Sequence, residues 1–250
     1  MLFRSPMAER ATASRPEGVD LLTLANVSSG YGPIVIIDNL TLSIRAGEIF
    51  ALMGKNGMGK TTLLKTILGF VTLRSGHVAF DGVPLKSLSP AKLIASGVAY
   101  APQELPLFQD LSICDNLRLG LRSDRELKGA SERAFSYFPF LADRLAQKAG
   151  TLSGGEQKML ILARALMHRP KLLLIDEISE GLQPSVIERI ASVLQDERDR
   201  HGTTILIVEQ NLDFALEIAN RWAVLKLGTL DDQGDVTPQT RARILDHLKI

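Results

Sequence analysis

The sequence contains one cysteine, no long apolar run and no block of basic residues. A single cysteine, Cys114, cannot form an internal disulfide, and the absence of a cysteine and histidine cluster around it argues against a metal site of that kind. No stretch approaches the roughly 18 consecutive apolar residues that a membrane-spanning helix requires. The 29 basic and 28 acidic side chains leave a net charge of +1, so the charge gives no reason to expect nucleic acid as a partner.

The composition is that of an ordinary globular protein. With 250 residues, 45% of them hydrophobic and 23% charged, the chain can bury the core of one large α/β domain or of two small ones. Residues 1 to 19 show no periodicity, and the start of the chain lacks the apolar centre of a signal peptide. We therefore expect a disordered leader before a domain over residues 20 to 250, and a protein that stays on the side of the membrane where it is made.

A phosphate-binding loop (P-loop) is the strongest pattern in the sequence. GKNGMGKT fits G-x-x-x-x-G-K-[ST], and its fixed positions are Gly54, Gly59, Lys60 and Thr61. An apolar strand candidate precedes the loop and a helix candidate follows it, so backbone N–H groups and the helix dipole would face the phosphate oxygens. In such a loop, Lys60 reaches the β- and γ-phosphates, Thr61 holds Mg²⁺, and Thr62 offers a further hydroxyl to the phosphates.

Apolar strands alternate with amphipathic helices over most of the chain. KLLLIDE and TTILIVEQN read as parallel strands that are buried on both faces. Nearer the start, LLTLANVS and LTLSI flank a turn at residues 30 to 33, which predicts antiparallel strands. Residues from about 105 to 168 are predicted to form a helical subdomain. The pattern predicts an α/β fold of the P-loop NTPase type, with a mostly parallel sheet, an antiparallel β subdomain and a helical subdomain.

Five further residues suit a nucleotide site, although each also has a plainer explanation. Tyr31 is either a half-buried packing residue or a ring that stacks on a purine base. Gln103 follows a strand candidate, where a glutamine is ordinarily a polar loop residue. Ser153 precedes two glycines at a helix start, which forms an anion-binding turn or a simple N-cap. Asp176 and Glu177 end an apolar strand, either as a solvated turn or as acids beside Mg²⁺ and an attacking water.

Taken in order, these motifs resemble the ATP-binding subunit of an ABC (ATP-binding cassette) transporter. The resemblance covers about residues 20 to 235 and rests on GKNGMGKTT, Gln103, LSGGEQ, LLLIDE and VEQN. LSGGEQ between the P-loop and the acidic strand is specific to this family, because kinases and GTPases lack it. SEGLQPSVI and VEQNLDFALEIANR resemble the subunits that power import of branched-chain amino acids and, more closely, of urea or short-chain amides.

The resemblance implies a role for each matching residue. The implied ATP-binding residues are Tyr31, Gly54, Asn56, Gly57, Gly59, Lys60, Thr61, Thr62, Ser153 and Gly155. Mg²⁺ would be held by Thr61, Gln103 and, through water, Asp176. Glu177 resembles the general base, with Gln103 and Gln210 as further catalytic residues. Ser153 and Gly155 would contact the γ-phosphate bound by an opposite subunit, so that two ATP molecules hold a head-to-tail dimer and a monomer hydrolyses poorly.

The resemblance also implies partners outside the chain. These are a second ATPase subunit, identical or homologous, two transmembrane permease subunits and, indirectly, an extracytoplasmic solute-binding protein. The chain would lie peripherally on the cytoplasmic face of the inner membrane. ELPLFQDLSICDN is the expected docking surface for the permease, and solute specificity would lie in the other chains.

Three positions depart from the family pattern. Ile178 stands where a proline commonly follows the catalytic glutamate, and Gln183 stands at the usual aspartate of the following loop. Gln210 occupies the position of the usual switch histidine. A glutamine amide can donate a hydrogen bond to the γ-phosphate but cannot become a cation, so we expect ATP turnover to survive without that charge-assisted contribution.

Three alternative functions are compatible with parts of the pattern. The chain could power an exporter, although the segments named above favour an importer. A soluble ABC ATPase of translation or DNA repair generally carries two cassettes or an inserted module, and neither is visible here. A nucleotide-binding regulatory subunit without turnover is suggested only by Gln183 and Gln210.

Overall fold

A computed structural model describes residues 18–85, 89–104, 106–121 and 123–248. The strands are β1 (Asp20–Tyr31), β2 (Ile34–Arg45), β3 (Ile49–Met53), β4 (Leu73–Phe80), β5 (Val83–Pro84), β6 (Val98–Ala101), β7 (Leu172–Asp176), β8 (Thr204–Glu209), β9 (Arg221–Lys226) and β10 (Thr229–Asp235). The α-helices are α1 (Lys60–Ile67), α2 (Pro90–Ser96), α3 (Ile113–Arg118), α4 (Leu127–Tyr137), α5 (Pro139–Asp143), α6 (Gly154–Leu166), α7 (Pro184–His201), α8 (Leu212–Ile218) and α9 (Thr240–Leu248). Apart from residues 18 and 19, the predicted leader lies outside the described residues.

A six-stranded sheet forms the centre of the fold. Its strand order is β10-β9-β3-β8-β7-β6, and the pairs from β9 to β6 are all parallel. Parallel neighbours need crossover connections, and the intervening helices supply them. The carboxyl ends of β3, β6, β7 and β8 therefore lie along one edge of the sheet, which is where ligands bind in sheets of this kind.

The central strands face two separate cores because successive side chains point to opposite sides of a sheet. In β3, Ile49, Ala51 and Met53 pack into a core with helices α3 to α9. Phe50 and Leu52, between them, pack into a second core with α1 and the antiparallel strands. Both faces of the sheet are thus covered, as the unbroken apolar runs predict.

Two smaller units flank this sheet. The antiparallel sheet has the order β2-β1-β4-β5, with β1 and β2 joined by the predicted turn. Between β6 and β7, the described chain is helical from α3 to α6 and buries its apolar side chains in the first core. The predicted fold class is confirmed, and the exact limits of the helical subdomain remain a prediction.

Two strands were missed by the sequence prediction. β10, with the sequence TLDDQGD, pairs antiparallel with β9 at the edge of the central sheet. Its side chains alternate between exposed and partly exposed, so it carries no apolar stripe that would identify it. The two-residue β5 pairs with the end of β4 and is too short for any periodicity. Among the described residues, no helix is long and apolar enough to cross a membrane.

We expect opposite stability effects from alanine at two glycines that both have room for a methyl group. Gly202 ends α7 at φ 65°, whereas Gly129 lies inside α4, and an added Cβ would meet nothing within 4 Å at either site. Gly202→Ala should lower the free energy of unfolding by about 1 kcal/mol, because alanine disfavours positive φ. Gly129→Ala should raise it by about 0.5–1 kcal/mol. Urea denaturation measures both, and a shift of the same sign in the two variants would contradict this explanation.

Candidate functional site

The P-loop joins β3 to α1 and surrounds the amine of Lys60. The side chain is 4% exposed, and its Nζ donates to the carbonyl oxygens of Gly54 at 2.8 Å and Lys55 at 3.0 Å. Gly59 precedes α1 with φ 102°, a conformation that other residues rarely adopt. A Cβ on Gly54 would lie 2.7 Å from the carbonyl oxygen of Leu225. Glycine is therefore required at both positions for the loop to close around Lys60.

Asp176, the last residue of β7, faces the start of α1. Its Oδ1 accepts a hydrogen bond from the Thr61 hydroxyl at 3.2 Å, and its Oδ2 accepts one from the Tyr100 hydroxyl at 3.2 Å. Asp176 is fully buried, and this burial raises the pKa of its carboxyl group above the usual value despite the two donors. The hydroxyl of Thr61 and the carboxylate of Asp176 thus form an oxygen-rich pair beside the P-loop.

Glu177 points toward the same pocket. Its Oε1 lies 2.9 Å from Lys60 Nζ, and its Oε2 accepts hydrogen bonds from Gln103 Nε2 and Gln210 Nε2, each at 2.9 Å. Gln210 Nε2 also donates to Asn56 Oδ1 of the P-loop at 2.6 Å. The structure therefore brings together five residues that the sequence assigned to one site.

A change of backbone direction brings both acids into this pocket. Consecutive side chains of an extended strand point to opposite faces, but Glu177 leaves β7 with φ 45°. Its N–H donates to Val208 O at 2.9 Å, and Ser179 donates to the Glu209 carboxylate from its N–H at 3.0 Å and its hydroxyl at 2.8 Å. These contacts hold residues 177–181, the β7 turn, against the end of β8.

The LSGGEQ motif is exposed at Ser153 and Gly154 and buried at its two ends, Leu152 and Gln157. Ser153 is exposed at the N-terminus of α6, where its Oγ accepts from Glu156 N at 3.3 Å and its N–H donates to Glu156 Oε2 at 2.9 Å. Gly155 faces α7, and an added Cβ would lie 3.2 Å from Val186. The motif therefore presents an exposed helix N-terminus away from the interior of its own chain.

Tyr31 and Thr62 lie at the periphery of the site. Tyr31 is 49% exposed at the turn between β1 and β2. Arg74 holds this turn by donating to the carbonyl oxygens of Pro33 at 3.2 Å and Ile34 at 2.8 Å. Thr62 follows Thr61 in α1 and is partly exposed, and Gly57 has a positive φ of 80° within the loop.

The sequence analysis missed four residues that contact this site. Tyr100 donates to Asp176, Glu180 accepts from Gln103 Nε2 at 3.0 Å, and Glu209 holds Ser179. Lys158 donates from Nζ to backbone oxygens of the β7 turn. The sequence could have indicated only Tyr100 and Glu209 as site residues. Both lie near the carboxyl ends of predicted strands, β6 and β8, which pair with β7.

Comparisons of the sequence with known proteins point to one family. The sequence model of the ABC transporter family matches residues 37–180. The high-affinity branched-chain amino acid transport ATP-binding protein BraG of Pseudomonas aeruginosa is 36% identical over 92% of this chain and 97% of its own length. The probable branched-chain amino acid transport ATP-binding protein LivF of Archaeoglobus fulgidus is 36% identical over 92% of this chain and 96% of its own.

A relative that is named for export also matches. The lipopolysaccharide export system ATP-binding protein LptB of Escherichia coli is 31% identical over 86% of this chain and 91% of its own length.

Among solved structures, the ADP conformation of MJ1267, an ATP-binding cassette of an ABC transporter, superposes with a TM-score of 0.79 at 25% identity. That superposition covers 87% of this chain and 91% of MJ1267.

The fold and the site together define a P-loop nucleotide-binding protein in which two acids, at the carboxyl end of β7, face the loop. The family match and the relatives then show that the chain belongs to the ATP-binding subunits of ABC transporters. It binds ATP and is an ATPase, as the sequence predicted.

Proposed function

We propose that this chain is the ATP-hydrolysing subunit of an ABC importer for branched-chain amino acids or for urea and short-chain amides. The 36% identity to two branched-chain amino acid transport proteins over 92% of this chain carries the importer proposal. The segments SEGLQPSVI and VEQNLDFALEIANR support the inclusion of urea and amides.

The P-loop would bind the phosphates of ATP. Lys60 supplies a buried cation, and Gly54, Asn56, Gly57, Gly59 and Thr62 line or border the same turn. Backbone N–H groups at the start of α1 add donors for phosphate oxygens. The exposed ring of Tyr31 would stack on adenine, as aromatic rings do on bases. Arg74 would keep that ring in place by holding the turn.

The donor set beside the P-loop fits Mg²⁺. Thr61 Oγ1 and Asp176 Oδ1 lie 3.2 Å apart, and hydroxyl, carboxylate and amide oxygens are the ligands that Mg²⁺ prefers. Thr61, Gln103 and, through water, Asp176 would hold the ion. Bound Mg²⁺ would neutralise charge on the β- and γ-phosphates.

Glu177 would act as the general base of hydrolysis. Its carboxylate faces the buried Lys60 amine and is held by the side-chain amides of Gln103 and Gln210. A carboxylate in this position can orient the attacking water and accept its proton. The two glutamines would hold the base and the water in line, and Gln210 would do so without a positive charge.

The exposed LSGGEQ motif supports a dimer. Ser153 is exposed and Gly155 is partly exposed at the start of α6, so we infer that they contact the γ-phosphate bound by a second ATPase subunit. Two ATP molecules would then lie between the chains, each held by the P-loop of one and the motif of the other. Permease subunits and an extracytoplasmic solute-binding protein complete the proposed complex, with this chain at the cytoplasmic face of the inner membrane.

Reversing one charge on the proposed permease-docking surface should uncouple transport from hydrolysis. Phe108 is 59% exposed and the side chain of Asp110 is fully exposed. Asp115 instead lies in the first turn of α3, where its backbone N–H donates to Oγ of the capping residue Ser112. Asp110→Lys should therefore lower solute uptake about tenfold or more while ATPase activity of the complex stays within about twofold. Uptake in vesicles and phosphate release measure the two effects. Asp143→Lys on the exposed end of α5 is the control, and unchanged uptake in Asp110→Lys would count against this docking surface.

An exporter is the second candidate, because LptB matches over 86% of this chain. Purification of the intact chain from its native membrane, with identification of the copurifying subunits, decides between the two. Copurification with a permease and uptake of labelled leucine or urea supports the importer. A permease whose reconstituted vesicles move solute only outward would overturn it.

A further inference from the structure

The β7 turn is held from both ends of the helical segment that separates β6 from β7. Gln103, where the chain leaves β6, donates through Nε2 to Glu180 Oε2 at 3.0 Å as well as to Glu177. Lys158, in α6 where the chain returns, donates from Nζ to the backbone oxygen of Glu180 at 2.8 Å and of Glu177 at 3.3 Å. The position of this turn therefore depends on the orientation of the helical segment.

Lys158 is suited to this contact by its charge and its donors. Its side chain is partly buried, and burial lowers the pKa of its amine. The negative charges of Glu180, Glu209 and Glu177 act in the opposite direction and favour its charged form. A lysine ammonium has three donors, and the backbone oxygens use two of them. Since charge-assisted hydrogen bonds are the stronger ones, a neutral side chain of similar length could not replace this link.

The same helix presents the exposed motif. Ser153 is the N-cap of α6, and Lys158 lies in α6 little more than one helical turn further along. A helix moves as a rigid element over such a short distance, so a displacement of Ser153 is passed to the Lys158 amine. Glu177 lies at the other end of the contact, where its carboxylate faces Lys60.

We propose that Lys158 is a positioning residue for ATP hydrolysis, which ties the helix that presents Ser153 to the turn that carries Glu177. The proposal rests on the head-to-tail dimer of the proposed function. In that dimer, Ser153 contacts the ATP of the partner while Glu177 serves the ATP of its own chain. Lys158 therefore links the two nucleotide sites, and closure on one ATP adjusts the base at the other.

Kinetics of the complete transporter test the link between sites. Lys158→Gln should lower kcat for ATP about 10- to 100-fold, with KM changed less than about twofold, because the base is misplaced while the P-loop is intact. The Hill coefficient for ATP should fall toward about 1. Lys158→Arg, which keeps the charge and donors, should recover most of both losses. Lys128→Gln removes the same charge from an exposed position of α4 and should behave as wild type.

Backbone hydrogen exchange of the nucleotide-free chain tests the contact itself, without any hydrolysis. Lys158→Gln should raise exchange of the Ser179 and Leu182 amides about tenfold at unchanged thermal stability, and Lys158→Arg should restore protection. Unchanged exchange would overturn the proposal. Equal kinetic loss in the Arg and Gln variants, together with a lowered melting temperature, would also overturn it. A wild-type complex without ATP turnover or dimerisation would instead contradict the proposed function, and the exchange result would still decide on the Lys158 contact.

Discussion

Glu177→Gln is expected to lower ATP hydrolysis by about 10²- to 10⁴-fold while ATP binding is retained. A glutamine of the same shape can still meet the amides of Gln103 and Gln210, but it cannot accept a proton from water. The variant also removes the carboxylate that pairs with Lys60 at 2.9 Å, so phosphate groups no longer compete with an internal anion. ATP should therefore bind at least as tightly as in the wild type.

Phosphate release and calorimetric titration with ATP measure these two effects. Glu188→Gln is a matched control, because Glu188 is an exposed acid on the outer side of α7. If hydrolysis in Glu177→Gln stayed within about threefold of the wild type, Glu177 would not be the base. A parallel loss of ATP binding would mean that the substitution disturbs the P-loop instead.

Lys60→Met is expected to abolish ATP binding and to lower the free energy of unfolding of the nucleotide-free chain by about 3–5 kcal/mol. Lys60 and Glu177 are each about 4% exposed and form a buried ion pair. Removal of the amine leaves the buried Glu177 carboxylate without its counter-charge and takes a donor from the carbonyl oxygens of Gly54 and Lys55. The cost arises from the uncompensated charge more than from the lost pair itself.

A double-variant cycle separates the stability effect from the binding effect. Lys60→Met combined with Glu177→Gln should recover most of the lost stability in urea denaturation, yet still fail to bind ATP. Lys65→Met, which removes a partly exposed lysine from the same helix, should alter neither quantity by much. A single Lys60→Met variant as stable as the wild type would show that the Glu177 side chain can turn out to water.

The parts of the fold with strong local patterns could be predicted from the sequence. The strand candidates before the P-loop and before Gln103 are β3 and β6, because short apolar runs between turn residues fit buried strands. Ser89 caps α2 and Gly202 ends α7, as their residue types indicate. β10 could not be predicted in this way, since a strand at a sheet edge needs no apolar face.

The P-loop could likewise be located from spacing alone, but the contacts around it could not. Lys60 and Glu177 are far apart in sequence, and the order of strands β3, β8 and β7 brings them together. The Lys158 side chain donates to the backbone oxygen of Glu180, and the Glu180 carboxylate accepts from Gln103. No residue pattern in the sequence predicts contacts of this kind. The roles assigned to the site residues remain predictions that the variants above address.

The structure shows what Gln210, which stands at the position of the family's switch histidine, contacts in this chain. Its amide bridges Glu177 Oε2 and Asn56 Oδ1, so it connects the base with the P-loop without carrying a charge. Ile178 and Gln183 lie at the two ends of the segment that follows β7, with Ile178 buried and Gln183 at the N-cap of α7. Continued turnover with Gln210 remains a prediction.

The placement of Glu177 also depends on the register between β7 and β8. Asp176 pairs with Val208 across β7 and β8, and from that alignment follow the bonds of Glu177 N to Val208 O and of Ser179 to Glu209. A slip of β8 by one residue would shift Glu209 by about 3.3 Å along the strand and turn its side chain to the other face. Insertions or deletions within β8 should therefore inactivate the enzyme as completely as removal of the carboxylate, although every residue that meets ATP would remain in the sequence.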